Sequence, residues 1–258
     1  MTLFNHYIAS SLHVGINVTA LVFISSIYLN TIVSIWMYVV AFTATVFGYN
    51  TIKYGELASD GFPIRLDRYA WLSYLAAAVG LFALSRISRE QQLIFVAVGF
   101  LVLFYAFPIQ SNKRNIRNQR KIKIYWVACV WSLFTVLFPC PEFIFETQFW
   151  VVISHRFLFV LCATLPFEIR DFLSDPKSLR TWPQRFGIPT TRRLGVFLTM
   201  LAGLMLFFSL LIENIATIIT HFILIVLLYK AKPNQSKYYA SFWVESLPLF
   251  WVSMAVMS

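Results

Sequence analysis

Nine apolar runs fill most of this chain, at about residues 7–29, 32–50, 70–86, 91–108, 122–138, 149–167, 193–212, 214–230 and 240–257. Each is near the ~20 residues a helix needs to cross ~30 Å of hydrocarbon, and several are a little short. The expected fold is therefore all-α: a polytopic membrane protein of nine transmembrane helices in one domain, residues 1–258. Composition agrees. The chain is 59% hydrophobic and 12% charged, with mean hydropathy +0.71, whereas a soluble domain is about half apolar and about a quarter charged. The lipid bilayer is the first partner this implies. The N-terminus lacks the basic region of a cleavable signal, so the first run is expected to be retained. Cys129, Cys140 and Cys162 form no CxxC and no metal spacing, and read as small hydrophobes in helices.

The net charge of +10 would suggest nucleic acid in a soluble protein, but here it sorts by loop, and no nucleic-acid partner is expected. The loops after the second, fourth, sixth and eighth runs carry 18 of the 21 Lys and Arg. Only Arg86, Arg89 and Arg156 lie on or toward the other side. The positive-inside rule makes the rich side cytoplasmic and the C-terminus external, in what is expected to be an inner (plasma) membrane. Six of the eleven acids (Glu56, Asp60, Asp67, Glu168, Asp171 and Asp175) lie on that same side. Positive-inside sorting has no demand for acids there. Acids mixed with Arg and Lys in two long loops point to a polar site at the membrane face.

The sharpest cluster is Glu168, Asp171 and Asp175, at i, i+3 and i+7. On a continuous helix they would lie within about 60° of one another. Like charges that close repel unless a cation sits between them. Oxygen ligands of this kind suit Mg²⁺, which takes a few carboxylates plus phosphate and water. Lys177, Arg180 and Arg185 follow closely and are suited to phosphate oxygens, Arg as a bidentate partner and Lys as a point charge. The plainer alternative is a membrane loop whose acids and bases pair with each other.

This run resembles the second aspartate-rich motif of the UbiA superfamily of intramembrane prenyltransferases, roughly D-x-x-D-x-x-x-D, a basic stretch, then T-L-P and a Gly. The chain offers Glu168, Asp171 and Asp175, then Arg180-Thr181-Trp182-Pro183 and Gly187, with Glu for the first Asp and Trp for the Leu. Tyr105-Ala106-Phe107-Pro108, followed by Lys113 and Arg114, is similar to the family's Y-x-x-P with downstream basic residues. The first aspartate-rich motif departs from the pattern N-D-x-x-D-x-x-x-D. Asn50 matches, but Thr51, Tyr54 and Ala58 stand at the acid positions, and Glu56 and Asp60 are two places out of register. Two residues turn a helix by about 200°, to its opposite face.

The resemblance implies a UbiA-like bundle of nine helices with both acidic loops on the cytoplasmic side. It implies transfer of a prenyl group from a prenyl diphosphate to an acceptor that partitions into the membrane. Mg²⁺ would be held by Asp171, Asp175 and Glu168. Asn50, Lys113, Arg114, Lys177, Arg180 and Tyr105 would contact substrate. Lys53 lies one turn after Asn50 on the same face, where it could stand in for the second metal by contacting phosphate. Two further readings stay open: a divergent homologue that binds an isoprenoid or lipid diphosphate without turnover, and a transporter. His155 and Arg156 lie early in the sixth run. Intramembrane ionisable residues are functional candidates by default, and Arg156 has the alternative of snorkelling to the interface. Glu245 sits near the start of the last run, and His6, His13 and His221 show no metal spacing.

Overall fold

The computed structural model describes residues 2–57, 64–66, 69–106, 122–210 and 215–257, with side chains at all of these except 55–57, 64–66, 209 and 210. The described chain is helical apart from one hairpin. Helices α1 (Leu3–Ala9) and α2 (Leu12–Tyr28) are followed by α3 (Ile35–Tyr54) and by strands β1 (Gly55–Leu57) and β2 (Ile64–Leu66). The two strands pair antiparallel, with Glu56 opposite Arg65. Then come α4 (Ala70–Leu84), α5 (Arg89–Ala106), α6 (Lys123–Ser132) and α7 (Thr147–Arg170). The short α8 (Trp182–Phe186) leads to α9 (Ile188–Leu210), α10 (Ile215–Lys230) and α11 (Leu247–Met257).

Among the described residues five helices are long and apolar enough to cross a membrane: Ile35–Tyr54, Arg89–Ala106, Thr147–Leu173, Ile188–Phe208 and Tyr239–Met257. The pair α1 and α2, bent by 56° at its break, makes a sixth if it is taken as one span. Ser11 sits at that break in the left-handed region, φ 63°, which L-residues other than Asn, Asp and Gly adopt reluctantly. Three apolar helices are shorter, Ala70–Leu84, Lys123–Leu137 and Ile215–Lys230. Every apolar run of the sequence thus contains helix.

Two of these helices contain wider π-helical turns. One is Leu133–Leu137, which continues α6, and the other is Tyr239–Val244, which leads into α11. Such turns swing side chains out of the regular helical register and recur at functional sites.

The exterior is apolar. On α5 only Val98 is buried, while Leu93, Val96, Phe100, Leu103 and Phe104 stand on the surface. Phe197, Leu204 and Phe208 on α9 and Ile218 and Phe222 on α10 are likewise exposed. Contiguous apolar surface of this extent marks contact with lipid or with other protein. The interior is organised around α7, which packs against α6, α8, α9 and α10 and buries Phe149, Val152, Phe159, Leu161, Leu165 and Ile169.

Lipid is as apolar as such a core, so close backbone approach supplies much of the packing. A Cβ placed on Gly195 of α9 would stand 2.8 Å from Leu165 Cδ1 on α7, and one on Gly80 of α4 would stand 2.8 Å from Thr43 Oγ1 on α3. The absence of a side chain at these two positions sets how near the helices lie.

Candidate functional site

The acidic run begins where α7 ends. The helix stops at Arg170, Asp171 is its C-cap, and Asp171–Leu173 tightens into a 3₁₀ turn. The expected common helix face is therefore corrected: only Glu168 lies on α7, and Asp175 sits beyond the turn. Pro176 keeps the helix from resuming at Asp175, because a residue before proline is disfavoured in the α region.

Each carboxylate has its own protein partner. Glu168 is buried, and its Oε2 accepts the backbone N–H of Trp182 at 3.2 Å. Asp171 takes a bidentate contact from Arg170, Nε to Oδ1 at 2.7 Å and Nη2 to Oδ2 at 2.9 Å. Asp175 Oδ2 faces Lys123 Nζ at 3.9 Å.

Among the described residues no group of three or more His, Cys, Asp or Glu side chains stands close enough to hold a metal ion. Mg²⁺ requires oxygens at about 2.0–2.1 Å in near-octahedral array. As arranged, Glu168, Asp171 and Asp175 point to three different cations or donors and do not fit it.

The basic residues do converge. A pocket of about 670 Å³ is lined by Asp175, Lys177, Arg180, Gln184 and Arg185 with Phe172, Leu173 and Phe186. Among the described residues, neither Lys177, Arg180 nor Arg185 has a carboxylate within the 4.0 Å of an ion pair. Arg185 lies 4.6 Å from the centre of the Phe186 ring, a cation–π arrangement. Arg180 is held at φ 49°, ψ 49° after the 3₁₀ turn Lys177–Leu179. A non-glycine residue in the left-handed region is strained and marks a position worth functional attention.

The Thr-Trp-Pro-x-x-x-Gly run has a local explanation. Thr181 is the N-cap of α8 and Pro183 lies in its first turn, where a missing N–H costs nothing. Gln184 Oε1 accepts the Thr181 N–H at 3.1 Å, and Gln184 Nε2 donates to Asp175 O at 3.0 Å. Gly187 closes the helix at φ 75°, a conformation that favours glycine. The Trp182 indole N–H donates to Tyr125 Oη at 3.1 Å. The motif therefore builds one wall of the cationic pocket.

At the end of α3, Asn50 is fully buried and its Nδ2 donates to Ser73 Oγ at 3.0 Å. Its Oδ1 has no partner among the described residues. Lys53 Nζ donates to Ser11 Oγ at 3.1 Å and lies 5.6 Å from the centre of the Tyr49 ring. Glu245, delivered by the π-helical turn before α11, lies within electrostatic reach of both Lys53 and Arg170. Tyr105, at the end of α5, is within electrostatic reach of Tyr49. Lys53 of α3 and Arg170 of α7 thus share Glu245, from the turn before α11, as a charged neighbour. Lys113, Arg114, Pro108 and Asp60 lie outside the described residues, as does the side chain of Glu56.

Sequence reasoning underweighted a second buried polar cluster. His155 Nε2 and His221 Nε2 are 3.0 Å apart, and His221 Nδ1 bonds Thr217 O at 2.8 Å. A ring nitrogen facing a carbonyl must be the donor. In a neutral pair His221 Nε2 is then the acceptor, and His155 Nε2 donates to it. Trp251, Phe159 and Tyr28 enclose the pair.

Arg156 does not snorkel. It is fully buried, with Nη1 donating to Leu21 O at 2.9 Å and to Thr135 Oγ1 at 2.8 Å, and Nη2 donating to Ser25 Oγ at 3.1 Å. Its partners come from two other segments, α2 and the π-helical turn Leu133–Leu137, so no spacing announces them. The two intramembrane ionisable residues in sequence, His155-Arg156, were the available signal.

Comparison with protein families, with curated proteins and with solved structures finds no match for this chain.

Proposed function

We propose that this chain is a multi-pass integral membrane protein that engages a prenyl diphosphate at one membrane face and transfers its prenyl group to an acceptor dissolved in the bilayer. In this reading the five long helices, the bent α1–α2 pair and the three shorter apolar helices are nine spans, arranged as in the UbiA superfamily. The loops rich in Lys and Arg face the cytoplasm, and the membrane is the inner (plasma) membrane.

The observation that carries the reading is the pocket in which Lys177, Arg180 and Arg185 meet with no carboxylate partner among the described residues. Surplus fixed cations at the end of an apolar bundle suit a ligand with a multiply charged head and an apolar tail. An apolar groove of about 680 Å³, walled by Phe23, Phe42, Thr43, Val46 and Leu249 among others, offers room for a tail. Its wall on α3 leads toward Lys53. In the reaction the allylic carbon–oxygen bond breaks and its electron pair leaves with the diphosphate. Lys177, Arg180, Arg185 and Lys53 offset that charge. The acceptor then bonds to the allylic carbon and releases a proton.

The test is release of diphosphate from radiolabelled prenyl diphosphates by the purified protein in lipid, with a membrane extract as a source of acceptors. Release with formation of a prenylated lipid-soluble product supports transfer. A second reading, binding without turnover, is favoured by one observation: the carboxylates of the acidic run are all engaged by protein partners. Tight binding with no release in the same assay would select it.

A further inference from the structure

We infer that the pocket beside α8 binds its anionic ligand through fixed side-chain cations, Lys177, Arg180 and Arg185, without a divalent metal bridge. The inference rests on the proposed function only for the identity of the ligand.

Each acid has a cation or an N–H donor, whereas Lys177, Arg180 and Arg185 have no carboxylate partner among the described residues. Arg170 covers both oxygens of Asp171 at 2.7 and 2.9 Å. Glu168 is turned away to the Trp182 N–H. Asp175 lines the pocket but faces Lys123 at 3.9 Å. A metal bridge through these residues would require all three contacts to be given up together. Recruiting Asp171 would also leave Arg170, half-buried, without its bidentate partner.

Of the basic residues with described partners in this region, Arg170 is spent on Asp171, Lys123 faces Asp175, and Arg192 Nε donates to Ala231 O at 3.1 Å. Lys177, Arg180 and Arg185 remain. They lie within nine residues of chain, and the turn at Lys177–Leu179 and the capped helix α8 bring them to one pocket. Two guanidinium groups can each engage a phosphoryl group through two parallel N–H donors, and the ammonium adds a point charge. Three positive charges against one already countered carboxylate match a diphosphate without a metal.

Arg180 provides a variant that separates binding from folding. At φ 49° its backbone is strained for an arginine and relaxed for a glycine. Arg180→Gly therefore removes the cation while favouring the fold.

The experiment measures binding of geranylgeranyl diphosphate to the full chain in phosphatidylcholine nanodiscs, with Mg²⁺ or with EDTA. Inorganic diphosphate serves as competitor. The expected result is an affinity that changes by less than about threefold when metal is removed. Arg180→Gly and Arg185→Met are each expected to weaken binding about tenfold or more, the loss of one charge-assisted bidentate contact. The double variant Asp171→Asn/Asp175→Asn is expected to bind at least as well as the parent, because it removes negative charge. Inorganic diphosphate is expected to compete, more weakly than the tailed ligand.

Binding that vanishes in EDTA and in the double Asp variant would overturn the inference and leave the prenyl-diphosphate reading standing. Unchanged binding by both Arg variants would overturn it as well. No binding by the parent chain under either condition would remove the proposed function, and this inference with it.

Discussion

Glu168 Oε2 accepts the backbone N–H of Trp182 at 3.2 Å, joining the last turn of α7 to the first turn of α8 across fourteen residues. The acid is buried, so its bond is made where water does not compete for either group. Glu168→Ala leaves the Trp182 N–H without an acceptor and is expected to cost about 1–3 kcal/mol. The loss should be local, seen as faster proteolysis between residues 171 and 187 than in the parent. Glu168→Gln keeps a carbonyl oxygen at the same place and should restore most of the protection. Equal protection in parent and alanine variant would mean that α8 is held by its packing on α9 alone.

The orientation proposed from the basic loops can be read by cysteine labelling. In a background with Cys129, Cys140 and Cys162 replaced, Ser178→Cys should react with a membrane-impermeant maleimide only from the cytoplasmic side. Phe145→Cys, at a residue 96% exposed in the turn before α7, should react only from the outside. Labelling of both positions from one side would break the alternation on which the nine-span arrangement depends.

The helices were legible in the sequence and the site only in outline. Continuous apolar runs can do little in a bilayer other than form helices, so the positions of α3, α5, α7 and α9 follow from the sequence with small shifts at the ends. The acid spacing at 168, 171 and 175 misled because it assumed that α7 continues. Asp171 caps the helix, and the chain turns before Pro176. For Arg156 two alternatives stood open, and snorkelling is not the one found. A side chain of that length has the reach to snorkel, and only the approach of Leu21, Ser25 and Thr135 makes a buried guanidinium tolerable. Contacts between residues that lie 21, 131 and 135 positions apart leave no period in the sequence. Lys177, Arg180 and Arg185 were legible as a basic cluster by residue type, but not their lack of a carboxylate within ion-pair distance among the described residues.

Cys140 offers a test of the core near the end of α6. Its side chain is buried, and burial, together with the nearby Glu142 carboxylate, pushes its thiol up to about 12, with Arg156 opposing. At pH 8 only about one molecule in 10⁴ would then hold the reactive thiolate. N-ethylmaleimide is expected to label Cys140 and Cys162 only after denaturation. Mass spectrometry of peptides labelled before and after unfolding reads this directly. Rapid labelling of Cys140 in the folded state would mean that solvent reaches the π-helical turn beside it.

Arg156 and the residues around it make the sharpest prediction about stability. The guanidinium is fully buried, takes three neutral acceptors and has no carboxylate within ion-pair distance among the described residues. Its net contribution is the difference between three charge-assisted hydrogen bonds and the cost of keeping a cation out of water. Arg156→Lys retains the charge but cannot reach three acceptors from one nitrogen in the same fork geometry. Arg156→Met removes the charge and keeps most of the volume, leaving hydroxyls that can turn to carbonyls of their own helices, as Ser25 and Thr135 already do. The lysine variant should therefore be the less stable of the two, by about 1–3 kcal/mol. Reversible unfolding of parent, lysine and methionine variants in mixed micelles measures the order. If methionine proves worse than lysine, the guanidinium bonds outweigh desolvation, and Arg156 is a net stabiliser that ties α7 to α2 and to the π-helical turn of Leu133–Leu137.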